Sequence, residues 1–437
     1  MLYSIGFFIF SVFYLPTLIF KGRLHGDFAE RFARFDGMKK RELLSGRDRI
    51  WIQAVSVGEV ALCKSLIPAL KEIFPGRDIV ISTVTKTGQA LAKKNFSKDA
   101  IIIYFPLDFL CIVKKAIGLI KPSLYIMIET ELWPNLLKAV SAGDIPCILI
   151  NGRISDRSIG KYRLVKPFLK KALGAISAFC MQDDIDAERI IELGAPRDRV
   201  TVTGNMKFDA SVPGDIKDPG AIRASLGLKD DDELIVAGST HEGEEAAVLE
   251  AFKKLSVQFP KIRLLVAPRH IDRAEQIERT IRDAGFEVIR FSTNDERRLS
   301  AEASAKAEMT NDERRIILLD TIGHLNDAYS VATIVFVGGS LIRHGGQNPI
   351  EPAYFAKPVL FGPHMFNFKY IAGVLLKYKP VMQVFSGEDL YEKFRLLLAD
   401  PALRSTLGER ARKVVNDNRG ATGRNIARIC GILRVEI

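Results

Sequence analysis

Six strand-end segments carry the side chains best suited to chemistry, three in each half of the sequence. In the second half, VGGSLIRHGGQNPIEPA (337–353) opens a strand into a glycine-rich loop, then starts a helix at Pro349 with Glu351 close behind. Glycines let backbone amides come close to an anion. A carboxylate one turn into a helix can accept hydrogen bonds from ribose hydroxyls, although the helix dipole favours a carboxylate there in any case. AGSTHEGEE (237–245) runs from a strand into a helix, with Ser239 and Thr240 placed to cap it and free N–H groups able to take a phosphate. An ordinary capped helix reads the same way. APRH (267–270) sets Arg269 just past a strand end, suited either to clamp a phosphate or to stand solvated. Three such loops in one domain make nucleotide binding the expected chemistry.

In the first half, SVGE (56–59) ends a strand at Glu59, IETELWPN (128–135) supplies Glu129, Glu131 and Trp133, and TGNMKFD (203–209) supplies Lys207. Carboxylates at strand ends can move protons, and an ammonium can offset negative charge. The same acids also read as helix-start carboxylates, and the tryptophan as core packing. Other chemistries lack their signatures. There is no GxSxG, HExxH, Walker A loop or strict GxGxxG, and the six histidines show no metal-ligand spacing. A D-x-D triplet at Asp184–Asp186 reads better as acids at a helix start, so no metal site is expected.

Positioning these groups requires strands that end where they stand. Apolar, β-branched runs recur at 50–57, 78–85, 100–106, 124–129, 147–151, 178–182 and 200–204, separated by helix-length stretches. Continuous apolar strands alternating with helices predict a parallel sheet covered on both faces. Residues 211–230, rich in Pro, Gly and Asp, read as a linker. The pattern restarts at 233–239, 262–268, 286–291, 316–320, 332–340, 357–362 and 381–385. The expectation is an α/β protein of two Rossmann-like, doubly wound domains, with a cleft at the carboxyl ends of their strands. The polar stretch 292–315, in which NDERR occurs twice, reads as a solvated loop, and residues 401–437 as a helical tail.

The chain has 437 residues, enough for two domains with their own cores. Five scattered cysteines without a CxxC pair argue for a reducing compartment. A formal net charge of +11 asks for an anionic partner. Zinc-finger spacing, RNP-type strands and long basic runs are all missing, so anionic lipid is favoured over nucleic acid. The first twenty residues carry no charged side chain and are followed by Lys21 and Arg23. Such a segment is just long enough to span a bilayer, with the remainder on the cytoplasmic side; a buried or amphipathic helix is the alternative. The basic stretch 153–171 reads as a solvated helix face or as a surface lying against anionic lipid.

With SVGE, ETELWPN, NGRIS, TGNMKFD, STHEGEE, PRH, GGSL and NPIEPA in this order, the chain resembles the Kdo (3-deoxy-D-manno-octulosonic acid) transferases over nearly its whole length. The resemblance implies a GT-B glycosyltransferase fold: a membrane anchor at 1–22, an acceptor domain at 23–210, a linker at 211–230, a CMP-sugar domain at 231–400 and the 401–437 tail. It implies inverting, metal-independent transfer of Kdo from CMP-Kdo to a lipid A precursor at the inner membrane, with no further cofactor. By the same resemblance Glu59 is the general base, and Glu129 and Lys207 stabilise the transition state. Pro268 and Arg269, then Ile322, Gly323 and His324, then Asn348, Pro349, Ile350 and Glu351 form three CMP-binding segments. Two positions depart from the family pattern: His324 stands where an acid is usual, and Gln347 where a histidine is usual. The rival readings are a UDP-sugar transferase or epimerase on the same fold, and a two-lobed binding protein without chemistry. Binding of CMP against UDP separates the first, and a single-turnover assay the second.

Overall fold

The computed structural model describes Tyr3 and residues 26–45, 48–213, 217–292 and 315–435. The chain divides into two compact units, residues 1–210 with 418–437, and residues 211–417.

The first unit is built on strands β1 (Arg49–Gln53), β2 (Asp78–Thr83), β3 (Ile101–Tyr104), β4 (Pro122–Ile128), β5 (Cys147–Gly152), β6 (Ala178–Met181) and β7 (Val200–Val202). They form one sheet in the order β3-β2-β1-β4-β5-β6-β7, every pair parallel. Parallel strands need crossover helices on both faces, which is why β1, β3 and β5 are buried along their whole length. One face packs Trp51, Tyr125 and Phe179; the other packs Ile52, Leu66 and Ile126.

The second unit repeats the plan with β8 (Glu233–Thr240), β9 (Ile262–Pro268), β10 (Glu287–Arg290), β11 (Arg315–Leu318), β12 (Ile334–Val337), β13 (Val359–Phe361) and β14 (Val381–Gln383). Their order is β10-β11-β9-β8-β12-β13-β14, again all parallel. The winding reverses between β1 and β4 in the first sheet and between β8 and β12 in the second. Ligands of open α/β sheets bind at such switch points.

Two features differ from the sequence reading. The 211–230 stretch is part of the second unit and contains a helix, Pro219–Ser225, started by the Asp218 side chain accepting from Ala221 N–H. The 401–437 tail is divided: the Pro401–Asp417 helix belongs to the second unit, and the Ala421–Leu433 helix to the first. The reason is apolar. Ile426, Ile429 and Cys430 join the core formed by Cys63, Leu66 and Met206. The 1–22 segment, apart from Tyr3, and the NDERR repeats lie outside the described residues. Among the described residues no helix is long and apolar enough to cross a membrane.

Candidate active site

At the switch point of the first sheet, Glu59 stands in the first turn of the Val57–Ile73 helix, just beyond β1. Its Oε2 accepts from Val55 N–H at 2.5 Å and its Oε1 from the Ser56 hydroxyl at 3.1 Å. A carboxylate serving only to start a helix is exposed and held ionised by the helix dipole. Glu59 is 6% exposed. Burial raises its carboxyl to about 8; the Glu129 and Glu131 carboxylates push the same way, while Val55 N–H and Ser56 pull it down. Glu131 is itself raised, by burial and then by Glu129. A carboxyl raised by burial and then by neighbouring carboxylates is the signature of an acid–base site.

Glu129 follows β4, the neighbour of β1, and takes φ of +59°, a left-handed conformation a side chain rarely adopts. Asn151 does the same at the end of β5, with φ of +52°. Strain at two adjacent strand ends persists only where surrounding bonds fix it. Here Glu129 N–H donates to Ile150 O at 3.0 Å, and the Thr130 hydroxyl bridges to the backbone of Arg153. Lys207 places its Nζ 4.0 Å from Glu129 Oε1. A buried amide network holds the Lys207 backbone. Asn151 Oδ1 accepts from Met206 N–H, Asn205 Oδ1 from Lys207 N–H, and Gln182 Oε1 from the Asn205 side chain. The first unit therefore gathers Glu59, Glu129 and Lys207 at one end of one sheet. The amides that position the lysine were not singled out from the sequence, although NGRIS and TGNMKFD contain two of them.

Trp133 packs against Phe105, ring centres 5.3 Å apart, in the core reading offered for it. Asp183 caps the helix after β6 by accepting from Asp186 N–H, and Asp186 accepts from Ile154 N–H at 2.8 Å. Asp184, the other acid of the triplet, stands in the first turn of that helix.

In the second unit the loops expected to meet an anion already meet one. Buried Glu244 accepts from His241 N–H and Gly339 N–H on Oε2, and from Ser340 N–H and Leu341 N–H on Oε1, at 2.6–3.0 Å. The glycine-rich loop thus spends three amides on the protein's own carboxylate, which ties the ends of β8 and β12 together. Gly339 makes this possible with φ of +66°, and a Cβ on Gly338 would lie 2.5 Å from Ser239 O. Nor do Ser239 and Thr240 cap the following helix. β8 runs on through Thr240, and the turn at Gly243, with φ of +94°, provides the N-cap of the Glu244–Ser256 helix. Glu244 is the residue the sequence reading missed; its signal was the EE pair directly after STHEG.

The remaining groups stand around that clasp. Arg269 is exposed just past β9, its backbone N–H on Thr240 O at 3.0 Å, and its guanidinium has no partner among the described residues. Pro268 is the buried last residue of β9. Nearby Arg273 is engaged by Glu245 at 2.9 Å. His241 stacks on His344 at 3.8 Å and meets the Gln347 amide at 3.1 Å. Burial, then the His344, His270 and arginine charges, lowers its imidazole to about 4. Beyond β11, Ile322 is 72% exposed, Gly323 has φ of +108°, and His324 sits 3.5 Å from Asp327. His324 and Phe291 border a 260 Å³ pocket. At the other side of the switch point, Pro349 is the N-cap of the Ile350–Tyr354 helix. Asn348 holds its first turn, accepting from Ile350 N–H and donating to Glu351 Oε1 at 3.0 Å. All three segments lie beyond carboxyl ends of the second sheet.

The chain is similar in sequence and in fold to known proteins. The family model "3-Deoxy-D-manno-octulosonic-acid transferase (kdotransferase)" matches residues 26–210. The chain is 34% identical to a 3-deoxy-D-manno-octulosonic acid transferase of Haemophilus influenzae, covering 86% of this chain and 85% of that protein. It is 37% identical to a bifunctional glycosyltransferase/methyltransferase of Fusobacterium nucleatum over 79% of this chain, spanning about half (52%) of that longer protein. Among solved structures, a glycosyltransferase from Rickettsia africae superposes with a TM-score of 0.56 at 12% identity, over 90% of this chain and 100% of that one, a likeness of fold. Each unit is a parallel α/β domain of the kind found in GT-B glycosyltransferases, and by its sequence the chain belongs to the 3-deoxy-D-manno-octulosonic acid (Kdo) transferase family.

Proposed function

We propose that the chain transfers Kdo from CMP-Kdo to a glucosamine hydroxyl of a lipid A precursor, with inversion and without a metal or further cofactor. The observation that carries the chemical part is the buried Glu59 carboxyl, raised to about 8 beside Glu129 and Glu131 at the switch point of the first sheet. As the bond from the Kdo anomeric carbon to the CMP phosphate oxygen breaks, that carbon gains oxocarbenium character. The acceptor oxygen forms the new bond, its proton passes to Glu59, and CMP leaves with the bonding pair. Direct displacement by one attacking oxygen inverts the anomeric carbon. Glu129 stabilises the positive character that develops on the sugar, and Lys207 and Arg269 offset the charge on the leaving phosphate. Pro268 and Arg269, Ile322–His324 and Asn348–Glu351 form the CMP-binding segments. Three glycine-loop amides are engaged by Glu244, whereas the Arg269 guanidinium, without a partner among the described residues, is open to clamp phosphate.

The acceptor is lipid-borne, and the chain carries matching features. Residues 1–22 serve as an apolar inner-membrane anchor that enters the bilayer from the cytoplasmic side, where both units stand, and the basic 153–171 stretch lies against anionic lipid. Mass analysis of products formed from CMP-Kdo and a lipid A precursor tests the reading. A product heavier by one or more Kdo residues is expected. Turnover with a UDP-sugar in place of CMP-Kdo would refute it.

A further inference from the structure

The first unit holds a second concavity that the chemistry above leaves unused. A 610 Å³ cleft runs between the Pro134–Ala142 and Lys166–Leu173 helices. Pro134, Lys138 and Ala142 recur every four residues on one face of the former, and Phe168, Lys171 and Ala172 share a face of the latter. Lys138 and Lys171 are exposed, and neither ammonium has a hydrogen bond or ion pair among the described residues. Phe168 is 61% exposed, and Leu164, one turn earlier, 84%. Unpaired cations beside bare apolar side chains suit an amphiphile with an anionic head.

Where the cleft begins tells which amphiphile. Pro134 directly follows Glu129–Trp133, so the cleft leads away from the acids along a helix. Lys138 stands about 6 Å further on, at 1.5 Å per residue. The helix start is pinned by Asp108, which accepts from Asn135 N–H at 3.0 Å and Leu136 N–H at 2.8 Å. Asp108 also takes a hydrogen bond from Tyr3, which lines the cleft and belongs to the apolar N-terminal segment. The cleft thus starts at the helix that follows the acids of β4 and takes in Tyr3 of the segment proposed to enter the bilayer.

We infer that this cleft is a subsite for the acceptor lipid: Lys138 and Lys171 take a phosphate of an acylated sugar phosphate, and an acyl chain lies along Phe168 and Ala172. The inference rests on the acceptor named under the proposed function. An ordinary phospholipid also offers phosphate and acyl chain, but it has no reason to sit in line with Glu129.

The test uses the full chain and its Lys138→Ala/Lys171→Ala variant, whose changes are on the surface and should leave melting unchanged. Binding of a lipid A precursor, with and without its phosphates, is measured in neutral detergent micelles separately from turnover. Loss of two charge-assisted contacts should weaken binding of the phosphorylated precursor about tenfold or more, while the dephosphorylated form and CMP bind both proteins alike. Unchanged affinity for the phosphorylated precursor would overturn the subsite. So would a loss seen only with phosphatidylglycerol vesicles, which would make the lysines a general membrane contact. Because binding is read without chemistry, lysine-dependent binding with no Kdo transfer would refute the transfer reading and leave the subsite standing.

Discussion

Glu59 combines two demands that usually conflict, since it helps start a helix yet is buried among carboxylates. Its carboxyl is raised from 4.5 to about 8, so it is protonated in the resting protein near neutrality and must lose that proton to act as a base. Transfer by the free enzyme should therefore rise with pH and level off above about 8. Stability should move the other way. A carboxyl whose folded value lies above its unfolded one stabilises the fold fully below about 4.5, and that contribution is lost as pH rises through about 8. Glu59→Gln keeps the shape but cannot ionise or accept a proton. It should leave CMP affinity unchanged, cut transfer at least about a hundredfold, and melt no lower than the parent above pH 8. Near-normal turnover would pass the role to Glu129; a collapse in melting temperature would mark a structural carboxylate. Arg269 offers the complementary experiment at the donor site. With no partner among the described residues to lose, Arg269→Ala should weaken CMP by about 1.5–3 kcal/mol in calorimetry and leave melting alone. Undiminished CMP affinity would remove it from the site.

Between residues and units stand the loops, and Glu244 governs the pair at the second switch point. A glutamine there replaces an acceptor oxygen by a donor facing backbone N–H groups, so Glu244→Gln should destabilise the unit by about 1–3 kcal/mol. CMP binding should weaken with it, because the loop carrying Asn348 is held from Gly339 onward. Thermal melting and calorimetry on the one variant check both effects; an unaltered melting temperature would show that the clasp is dispensable. This is also the scale at which the sequence was least legible. The buried strands were readable because a buried parallel strand is a short, continuous apolar run, as in Ile101–Tyr104 or Cys147–Gly152, whereas no residue of the edge strands β7 and β10 is buried. Glu59, Glu129, Lys207 and Arg269 were readable because they stand beside strand ends. The Glu244 clasp joins residues 95 positions apart, and Asn151 meets Met206 across 55, so no local pattern announces either. The two capping hydroxyls failed for a related reason. Pairing with β9 carries β8 through Thr240, which moves the helix start to Gly243. Amphipathic periodicity finds the last helix but not its partner. Asp209 accepts from Gly420 and Thr422 N–H, and Arg424 reaches Thr203 O, so this helix braces the very segment that carries Lys207.

On the scale of the whole molecule the charge of +11 and the uncharged first twenty residues ask to be separated experimentally. Deleting residues 1–21 removes the apolar segment and a single charge, Lys21. The first sheet starts only at Arg49, and its Asp108 keeps two backbone donors when Tyr3 is lost. The truncated chain should therefore keep its circular dichroism spectrum and melt close to the parent. Its membrane association should change in kind. With the anchor, sedimentation with anionic vesicles should resist salt, because burial of an apolar segment in the bilayer owes little to charge. Without it, what remains is the basic 153–171 stretch with exposed Leu164 and Phe168. Attraction of about 1 kcal/mol per basic residue near an anionic surface should hold the truncated protein at low ionic strength. Raising salt to about 1 M shortens the screening length to about 3 Å and should release it. Neutral vesicles should bind it little at any salt. Unfolding on truncation would make residues 1–21 part of the core, and salt-resistant binding of the truncated protein would show that Leu164 and Phe168 insert strongly enough to make the segment redundant.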